Sequence, residues 1–281
     1  MRLIVLVNII AFVMFATCCC GEHVFTEDAI SVSGSTTCLP AVERAAVKFM
    51  EKYAQLTVSV YAGGSGLGVR EVAEGIVDIG MISREISESE RGEYSYVDFL
   101  LFPFARDAVV PIVSSEVYEA GVTSLSLSQV RGIYEGRLTN WEKLGGASRE
   151  ILVVDKEPDR GTRHVFMRVI FGDESAETTK DTIRTGPNDD MQMAVATSDS
   201  AIGYVSQAWG NADVKRLGIE VNGSISYPTV ANVRDGLFPL SRTLYLVTNG
   251  PPDGVRKDFI EFMLGPESAK IIAESGLVPL E

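Results

Sequence analysis

Segments with the hydrophobic pattern of helices alternate with strand-like segments along this chain of 281 residues. Apolar residues recur at helical spacing from Leu39 to Tyr53, whereas Ile151 to Asp155 is a short β-branched run. The alternation predicts an α/β fold in which mainly parallel sheets are covered by helices. Further strands are predicted at 29–33, 108–114, 201–205 and 244–248, and further helices at 126–134, 162–171 and, as a pair, within 254–275.

Residues 57–84 are the most informative segment. They predict a strand, a glycine-rich loop that carries Ser65, a short helix and a second strand that ends in residues 78–84. Glycine with Ser or Thr also stands between a strand and a helix at 34–37 and at 161–162. The first N–H groups of a helix lack partners and the helix dipole is positive there, so an anion can bind. One such place is more often a simple N-cap, but three together favour an oxyanion site.

Composition narrows the class of partner. With 46% hydrophobic and 22% charged residues, the chain can bury a full core and can form two lobes. The formal net charge of −13 argues against nucleic acid, because binding it requires Lys and Arg around the phosphates.

The N-terminal segment, residues 1–20, indicates a location outside the cytoplasm. The apolar run from Leu3 to Ala16 is shorter than the about 20 residues of a bilayer span and is typical of a signal peptide. An uncleaved anchor helix that continues through the cysteines is the alternative. Residues 15–18 resemble a lipobox, which makes Cys18 the candidate for lipidation, although Thr17 departs from the usual small residue and Cys20 competes. We expect the protein on the outer face of the cell membrane or in the periplasm.

The remaining cysteine and the histidines give no sign of metal or redox chemistry. Cys38 is the one cysteine beyond the targeting segment, so an internal disulfide is not expected, and a small buried apolar role is favoured. The two histidines, His23 and His164, show no zinc-ligand spacing. No cofactor and no metal are expected.

Six segments carry a resemblance that runs in order from about residue 29 to the C-terminus. They are 34–40 (GSTTCLP), 63–68 (GGSGLG), 77–84 (VDIGMISR), 133–146 (IYEGRLTNWEKLGG), 161–163 (GTR) and 201–205 (AIGYV). Together they resemble the phosphate-binding proteins of phosphate ABC transporters. The resemblance implies a type II periplasmic-binding-protein fold, with inorganic phosphate in a cleft between two lobes and delivery to the membrane permease subunits of the transporter. A monomer is expected.

The resemblance also implies where the lobes divide. Chain crossings are expected near 104–108 and 239–242, because the family passes out of the first lobe and back. Lobe one would contain residues 24–106 and 240–281, and lobe two residues 107–239. Two crossings form a natural hinge, so ligand binding should close the cleft.

In the first lobe, the resemblance places the anion against Thr36, Thr37 and Ser65, with Asp78 as the acidic acceptor. A buried carboxylate can accept a hydrogen bond from a P–OH group, which sulfate lacks at neutral pH, and an unpaired buried acceptor rejects the wrong ligand. The alternative is a strand-edge aspartate that binds local N–H groups. Arg84 lies close in sequence and could pair with Asp78 or with the ligand.

In the second lobe, Gly161 and Thr162 fit the family pattern, but Lys156 stands where the family has Arg and Arg160 where it has Ser. Lysine cannot make the planar two-point contact of arginine, and Arg160 could supply that contact from another angle. Alternatively, Arg160 points to solvent or pairs with a neighbouring acid. Anion specificity therefore stays open.

Other functions remain as alternatives. The same fold could bind sulfate, molybdate or tungstate, or could report phosphate level to a partner as a sensor. A phosphatase is disfavoured, because Leu67 stands where a nucleophile elbow needs its second glycine and the chain has no phosphate-binding P-loop. His164 is a conceivable base, but a surface or packing role is favoured. The protein is not expected to be an enzyme.

Overall fold

The computed structural model describes residues 29–53 and 55–280. The predicted targeting segment 1–20 and the lipidation candidate Cys18 lie outside these residues. None of the helices in the described part of the chain is long and apolar enough to cross a membrane.

The strands are β1 (Ala29–Gly34), β2 (Thr57–Ala62), β3 (Ile79–Ile82), β4 (Phe99–Val113), β5 (Ser124–Ser126), β6 (Leu152–Lys156), β7 (Ile183–Thr185), β8 (Ala201–Ser206), β9 (Lys215–Arg216), β10 (Gly218–Val221), β11 (Ser224–Ser226), β12 (Ser241–Asn249) and β13 (Val278–Pro279). The helices are α1 (Leu39–Met50), α2 (Ser65–Ala73), α3 (Glu88–Glu93), α4 (Ser115–Glu119), α5 (Leu127–Tyr134), α6 (Gly161–Phe171), α7 (Asn188–Ala196), α8 (Val230–Arg234), α9 (Gly254–Leu264) and α10 (Pro266–Glu274).

The main sheet has the strand order β2-β1-β3-β12-β4-β8-β6-β7, and β9 and β13 also pair with β4. Its outer parts are parallel, as predicted, because β1 pairs in parallel with β2 and β3, and β6 with β7 and β8. Its centre is antiparallel, because β12 runs against both β3 and β4, and β4 runs against β8. A second sheet has the order β11-β10-β5.

Strand β4 connects two hydrophobic cores. The sequence predicted only 108–114 as a strand, but β4 extends over 15 residues. Phe104 and Ala105 pack in the core around α1, whereas Ala108 and the apolar residues after it pack in the core around α6. The antiparallel pairing of β4 with β12 runs from Ala108 to Phe99, so both predicted crossings lie on this pair. The exact lobe boundaries stay a prediction.

Aromatic contacts show how each core is built. In the first core, the ring centroid of Phe49 in α1 lies 5.3 Å from that of Phe259 in α9. In the second core, Phe166 of α6 stacks on Tyr204 of β8 at 3.9 Å between centroids. Of the apolar face that the sequence predicts for α1, Val42, Ala46 and Phe49 are buried. Packing against the sheet therefore fixes the helices whose first turns form the site.

Candidate functional site

Four strand-to-helix junctions meet around one small cavity. They are the junctions of β1 with α1, β2 with α2, β6 with α6 and β7 with α7. The first turns of α1, α2 and α6 contain no acidic residue, so their positive ends are not neutralised locally. The cavity is lined by Ser35, Thr36, Gly64, Ser65, Lys156, Arg160, Gly161, Thr162, Gly186 and Asn188.

The first-lobe side of the cavity consists of uncharged groups. Ser65 is fully buried, and its Oγ accepts a hydrogen bond from Ser83 N at 3.0 Å. Gly64, directly before it, has φ +113°, which a residue with a side chain rarely adopts. Thr37 lies behind the cavity wall, where its Oγ1 accepts a hydrogen bond from Asn188 Nδ2 at 3.3 Å. Donor groups without charge therefore line this side.

Gly161 brings the other side of the cavity into close contact with the first. A Cβ atom on Gly161 would lie 2.2 Å from Ser65 Oγ and 2.5 Å from Ser83 Oγ. A backbone hydrogen bond also links the two sides, since Gly66 N donates to Asp159 O at 3.2 Å. The described chain is thus in a conformation with a narrow cavity.

Arg160 lies between the two sides. A Cβ atom on Gly186 would be 3.1 Å from Arg160 Nη2, and one on Gly64 would be 3.6 Å from its Nη1. The same guanidinium donates from Nε and Nη2 to Glu157 Oε2, at 2.9 and 2.6 Å. Arg160 therefore lines the cavity and pairs with a neighbouring acid, and its contact with the anion stays a prediction.

Lys156 is buried at the base of the second-lobe side. Its Nζ donates to the backbone carbonyls of Gly186, at 3.4 Å, and Pro187, at 3.0 Å. Burial, together with the nearby positive charges of Arg160 and Arg242, lowers the pKa of Lys156 to about 7.

Arg242, on the crossing strand β12, was missed from the sequence. Its Nη2 donates to Thr37 Oγ1 at 3.0 Å and its Nη1 to Thr162 Oγ1 at 3.2 Å, so one guanidinium connects both sides of the site. A buried ion pair with Asp107 of β4 holds it, at 2.6 Å between Nη2 and Oδ2. Asp107 lies at one predicted chain crossing and Arg242 at the other. These opposite charges are the sequence signal that could have identified the pair.

Asn188 was also missed. It begins α7, where its Nδ2 contacts Thr37 and its Oδ1 accepts a hydrogen bond from Ser206 N at 3.3 Å. The segment before it, 183–185, is a three-residue strand with two exposed positions, so its hydrophobic pattern gave no strand signal.

The prediction that Asp78 accepts the ligand's proton is wrong. Its Oδ2 accepts hydrogen bonds from Ser31 N at 2.8 Å and Ser31 Oγ at 2.7 Å. Asp78 precedes β3 and Ser83 follows it, which separates them by on the order of 15 Å at the rise of an extended chain. Arg84 pairs with Glu90 Oε2 at 2.7 Å rather than with Asp78. The strand-edge alternative is the correct one.

The surroundings of Cys38 and His164 indicate structural roles for both. Cys38 is fully buried, as expected for a small apolar residue, and burial raises the pKa of its thiol to about 12. His164 Nδ1 lies 3.7 Å from Glu174 Oε2, and burial lowers the pKa of this imidazole. Within residues 29–53 and 55–280, no group of three His, Cys, Asp or Glu side chains is placed to hold a metal ion.

Of the seven predicted ligand residues, the structure places five on the cavity wall: Thr36, Ser65, Arg160, Gly161 and Thr162. Thr37 lies directly behind the wall, and Asp78 is remote. None of the described residues that line the cavity is acidic. The arrangement can hold an anion between neutral donors on one side and cations on the other.

The family model and the relatives that match this chain agree with each other. Residues 23–267 match the family model of the PBP superfamily domain. The chain is similar to the phosphate-binding protein PstS of Bacillus subtilis, with 29% identity over 295 aligned positions that cover 99% of this chain and 94% of the relative. PstS of Borreliella burgdorferi is 24% identical, and the alignment covers 91% of each protein.

Solved structures show the same likeness. A structure described as a phosphate ABC transporter substrate-binding protein from Clostridium perfringens, with bound phosphate, has a TM-score of 0.81 and 28% identity. The match covers 90% of this chain and 100% of that one. An ABC-type phosphate transport receptor from Vibrio cholerae has a TM-score of 0.73 and 28% identity, covering 89% and 99%.

Proposed function

The chain belongs to the PBP superfamily, and we propose that it binds inorganic phosphate in the cavity between its lobes and delivers the ion to the permease of an ABC transporter. The predicted α/β periplasmic-binding-protein-like fold is confirmed by the family match and by the structural likenesses. Relatives that resemble the chain over about nine-tenths of its length are named phosphate-binding proteins, and one similar structure contains phosphate.

The observation that carries this proposal is the convergence of helix N-termini and basic side chains on one small cavity. Ser65 and Thr162 can donate hydroxyl hydrogen bonds from opposite sides, and Arg160 and Lys156 supply positive charge. A tetrahedral oxyanion has four acceptor corners, which such an arrangement can contact from both lobes. The net charge of −13 does not oppose this, because groups in direct contact dominate over distant, screened charges.

Another tetrahedral oxyanion is the second candidate ligand. Phosphate and sulfate differ in the proton that phosphate carries, and Asp78 is not at the cavity to accept it. No described lining residue is acidic, so repulsion by a carboxylate does not exclude sulfate, molybdate or tungstate. The ligand class therefore follows from the cavity, and the choice of phosphate rests on the relatives.

The protein acts outside the cytoplasm, is anchored by a lipid on Cys18 and works as a monomer. The apolar N-terminal run and the lipobox-like residues before Cys18 support this, although both lie outside the described residues. The permease subunits are its membrane partners. It is a binding protein without enzymatic activity, and incubation with a generic phosphate ester should release no phosphate.

Calorimetric titration of the mature protein with phosphate, sulfate and tungstate between about pH 5 and 8 tests this function. We expect one phosphate per chain with a dissociation constant of about 1 µM or tighter, equivalent to about 8 kcal/mol. Tight sulfate binding together with weak phosphate binding would contradict the proposal and favour the second candidate. Binding of none of the three ions would exclude the cavity as an oxyanion site.

A further inference from the structure

Lys156 has unusual surroundings for a cation in an anion site. Its side chain is almost fully buried, with 1% of the residue exposed, whereas the Arg160 side chain is 17% exposed. Two buried carboxylates, those of Asp155 and Asp107, are paired with arginines. Asp155 Oδ2 lies 3.1 Å from Arg163 Nε, and Asp107 is paired with Arg242. Lys156 thus lies in a low-dielectric environment and has no ion-pair partner among the described residues.

The charges that face Lys156 from the surrounding elements have a net unfavourable effect on its ammonium form. Arg160 before α6 and Arg242 on β12 repel it. Asp155 on its own strand and Asp189 at the start of α7 attract it more weakly, and Asp189 is exposed to solvent. Tyr204 on β8 contributes only its hydroxyl oxygen, 3.4 Å from Lys156 N.

The hydrogen bonds around Lys156 Nζ are compatible with both the neutral amine and the ammonium. The carbonyl oxygens of Gly186 and Pro187 accept two hydrogen bonds from Nζ. A neutral amine then has a lone pair left, which can accept a hydrogen bond from a P–OH group. An ammonium has a third N–H left, which can donate to a phosphate oxygen. Lys156 can therefore exchange a proton without moving.

We propose that Lys156 is the proton-exchanging residue of the anion site, uncharged in the free protein at mildly alkaline pH and an ammonium when phosphate is bound. This inference rests on the proposed function. When H₂PO₄⁻ binds, its P–OH proton moves to Nζ and leaves HPO₄²⁻; when HPO₄²⁻ binds, the proton comes from solvent. In both cases the bound state is the ammonium form of Lys156 beside HPO₄²⁻.

This proton balance predicts a maximum in phosphate affinity near neutral pH. In more acidic solution Lys156 is already protonated and H₂PO₄⁻ is the main species, so binding releases a proton and affinity rises with pH. In more alkaline solution Lys156 is neutral and HPO₄²⁻ dominates, so binding takes up a proton. One proton taken up corresponds to about a tenfold loss of affinity per pH unit.

The first test measures proton uptake by titrating phosphate calorimetrically into the protein at about pH 8.5 in two buffers with different ionisation enthalpies. The wild type should take up about one proton per phosphate. The Lys156→Arg variant, with a permanent charge, should take up almost none, and its affinity should not fall above neutral pH. Equal proton uptake in the two proteins would overturn the proposal.

A second measurement needs neither phosphate nor the arginine variant. Relative to Lys156→Met, the unfolding equilibrium constant of the ligand-free wild type should decrease about tenfold per pH unit between about pH 7 and 10, because only the unfolded chain is protonated there. Parallel pH profiles of wild type and Lys156→Met would overturn the proposal. If the wild type binds no phosphate, the proposed function fails, while this comparison still decides whether Lys156 is neutral.

Discussion

The two sides of the cavity differ in how they can bind an anion. The first-lobe side presents Ser35, Thr36 and Ser65, which are neutral donors held by rigid strand-to-helix junctions. The second-lobe side presents Arg160, which is charged, and Lys156, which is charged when phosphate is bound. Neutral donors position the oxygens of the anion at little desolvation cost. Charged groups attract the anion electrostatically, also at long range. Neutral donors and charged groups therefore lie on opposite sides of the cavity, and we expect full affinity only when both sides contact the anion.

Arg242 belongs to neither side and connects both, so its replacement should have the largest effect. Arg242→Met leaves Asp107 buried without a counter-charge, which should lower the free energy of unfolding by about 3–5 kcal/mol. The hydroxyls of Thr37 and Thr162 also lose their common donor, and phosphate affinity should fall at least about 100-fold, or about 2.7 kcal/mol. Urea unfolding and calorimetry measure the two effects.

A double variant separates these effects. Adding Asp107→Asn to Arg242→Met removes the uncompensated charge, so most of the lost stability should return while phosphate affinity stays low. If the double variant regains wild-type affinity, Arg242 acts on the fold alone and does not link the two sides.

Gly161→Ala should have the next largest effect, because it places a methyl group between the sides. The new Cβ would lie 2.2 Å from Ser65 Oγ, so the closed cavity cannot form without displacement. Overpacking of this kind costs about 1–3 kcal/mol, which is about a 5- to 150-fold loss of phosphate affinity. Calorimetry measures the loss.

Gly92→Ala in α3 is the matched control, since its Cβ would meet nothing within 4 Å. It should leave affinity unchanged. An unchanged affinity in Gly161→Ala as well would mean that the two sides do not close on the ion as the structure has them.

Arg160→Ser tests whether the charged side binds the ion directly. Because the guanidinium lies against the cavity, we expect phosphate affinity to fall at least tenfold. Glu157→Gln removes the exposed partner of Arg160 and keeps the guanidinium, so its affinity should stay within about threefold of wild type. A loss of less than threefold in Arg160→Ser would show that its pairing with Glu157 is its main role.

Asp78→Asn should have the smallest effect on binding. Its carboxylate contacts Ser31 at the far end of β3, so affinity should stay within about threefold. Weakening these hydrogen bonds should lower the free energy of unfolding by about 1 kcal/mol. Calorimetry with phosphate and sulfate checks this. A selective loss of phosphate binding would show that Asp78 does act on the ligand.

The sequence predicted the neutral side well, because its features are local. Glycine with Ser or Thr between a strand and a helix specifies a helix N-terminus, and Thr36 and Ser65 lie where this pattern placed them. The order of most helices and strands followed from periodicity for the same reason. The antiparallel centre of the sheet did not, because strand direction depends on pairing between β4 and β12, far apart in sequence.

The charged side was predicted less completely because its chemistry depends on distant contacts. Arg242 and Asn188 reach the site only through tertiary packing, 205 and 151 residues from Thr37 in sequence. Asp78 was misplaced because its carboxylate was assigned to the end of β3 that faces the cavity, while the residue precedes that strand. A sequence pattern locates a strand but does not state which of its ends carries the ligand.

A crystal structure of the phosphate complex would show whether both sides of the cavity bind the ion. We predict one phosphate ion with oxygens within hydrogen-bond distance of Ser65 on one side and of Arg160 or Lys156 on the other. An ion bound by groups of one side only, or bound beside Asp78, would contradict joint binding of a single anion by neutral donors and charged groups.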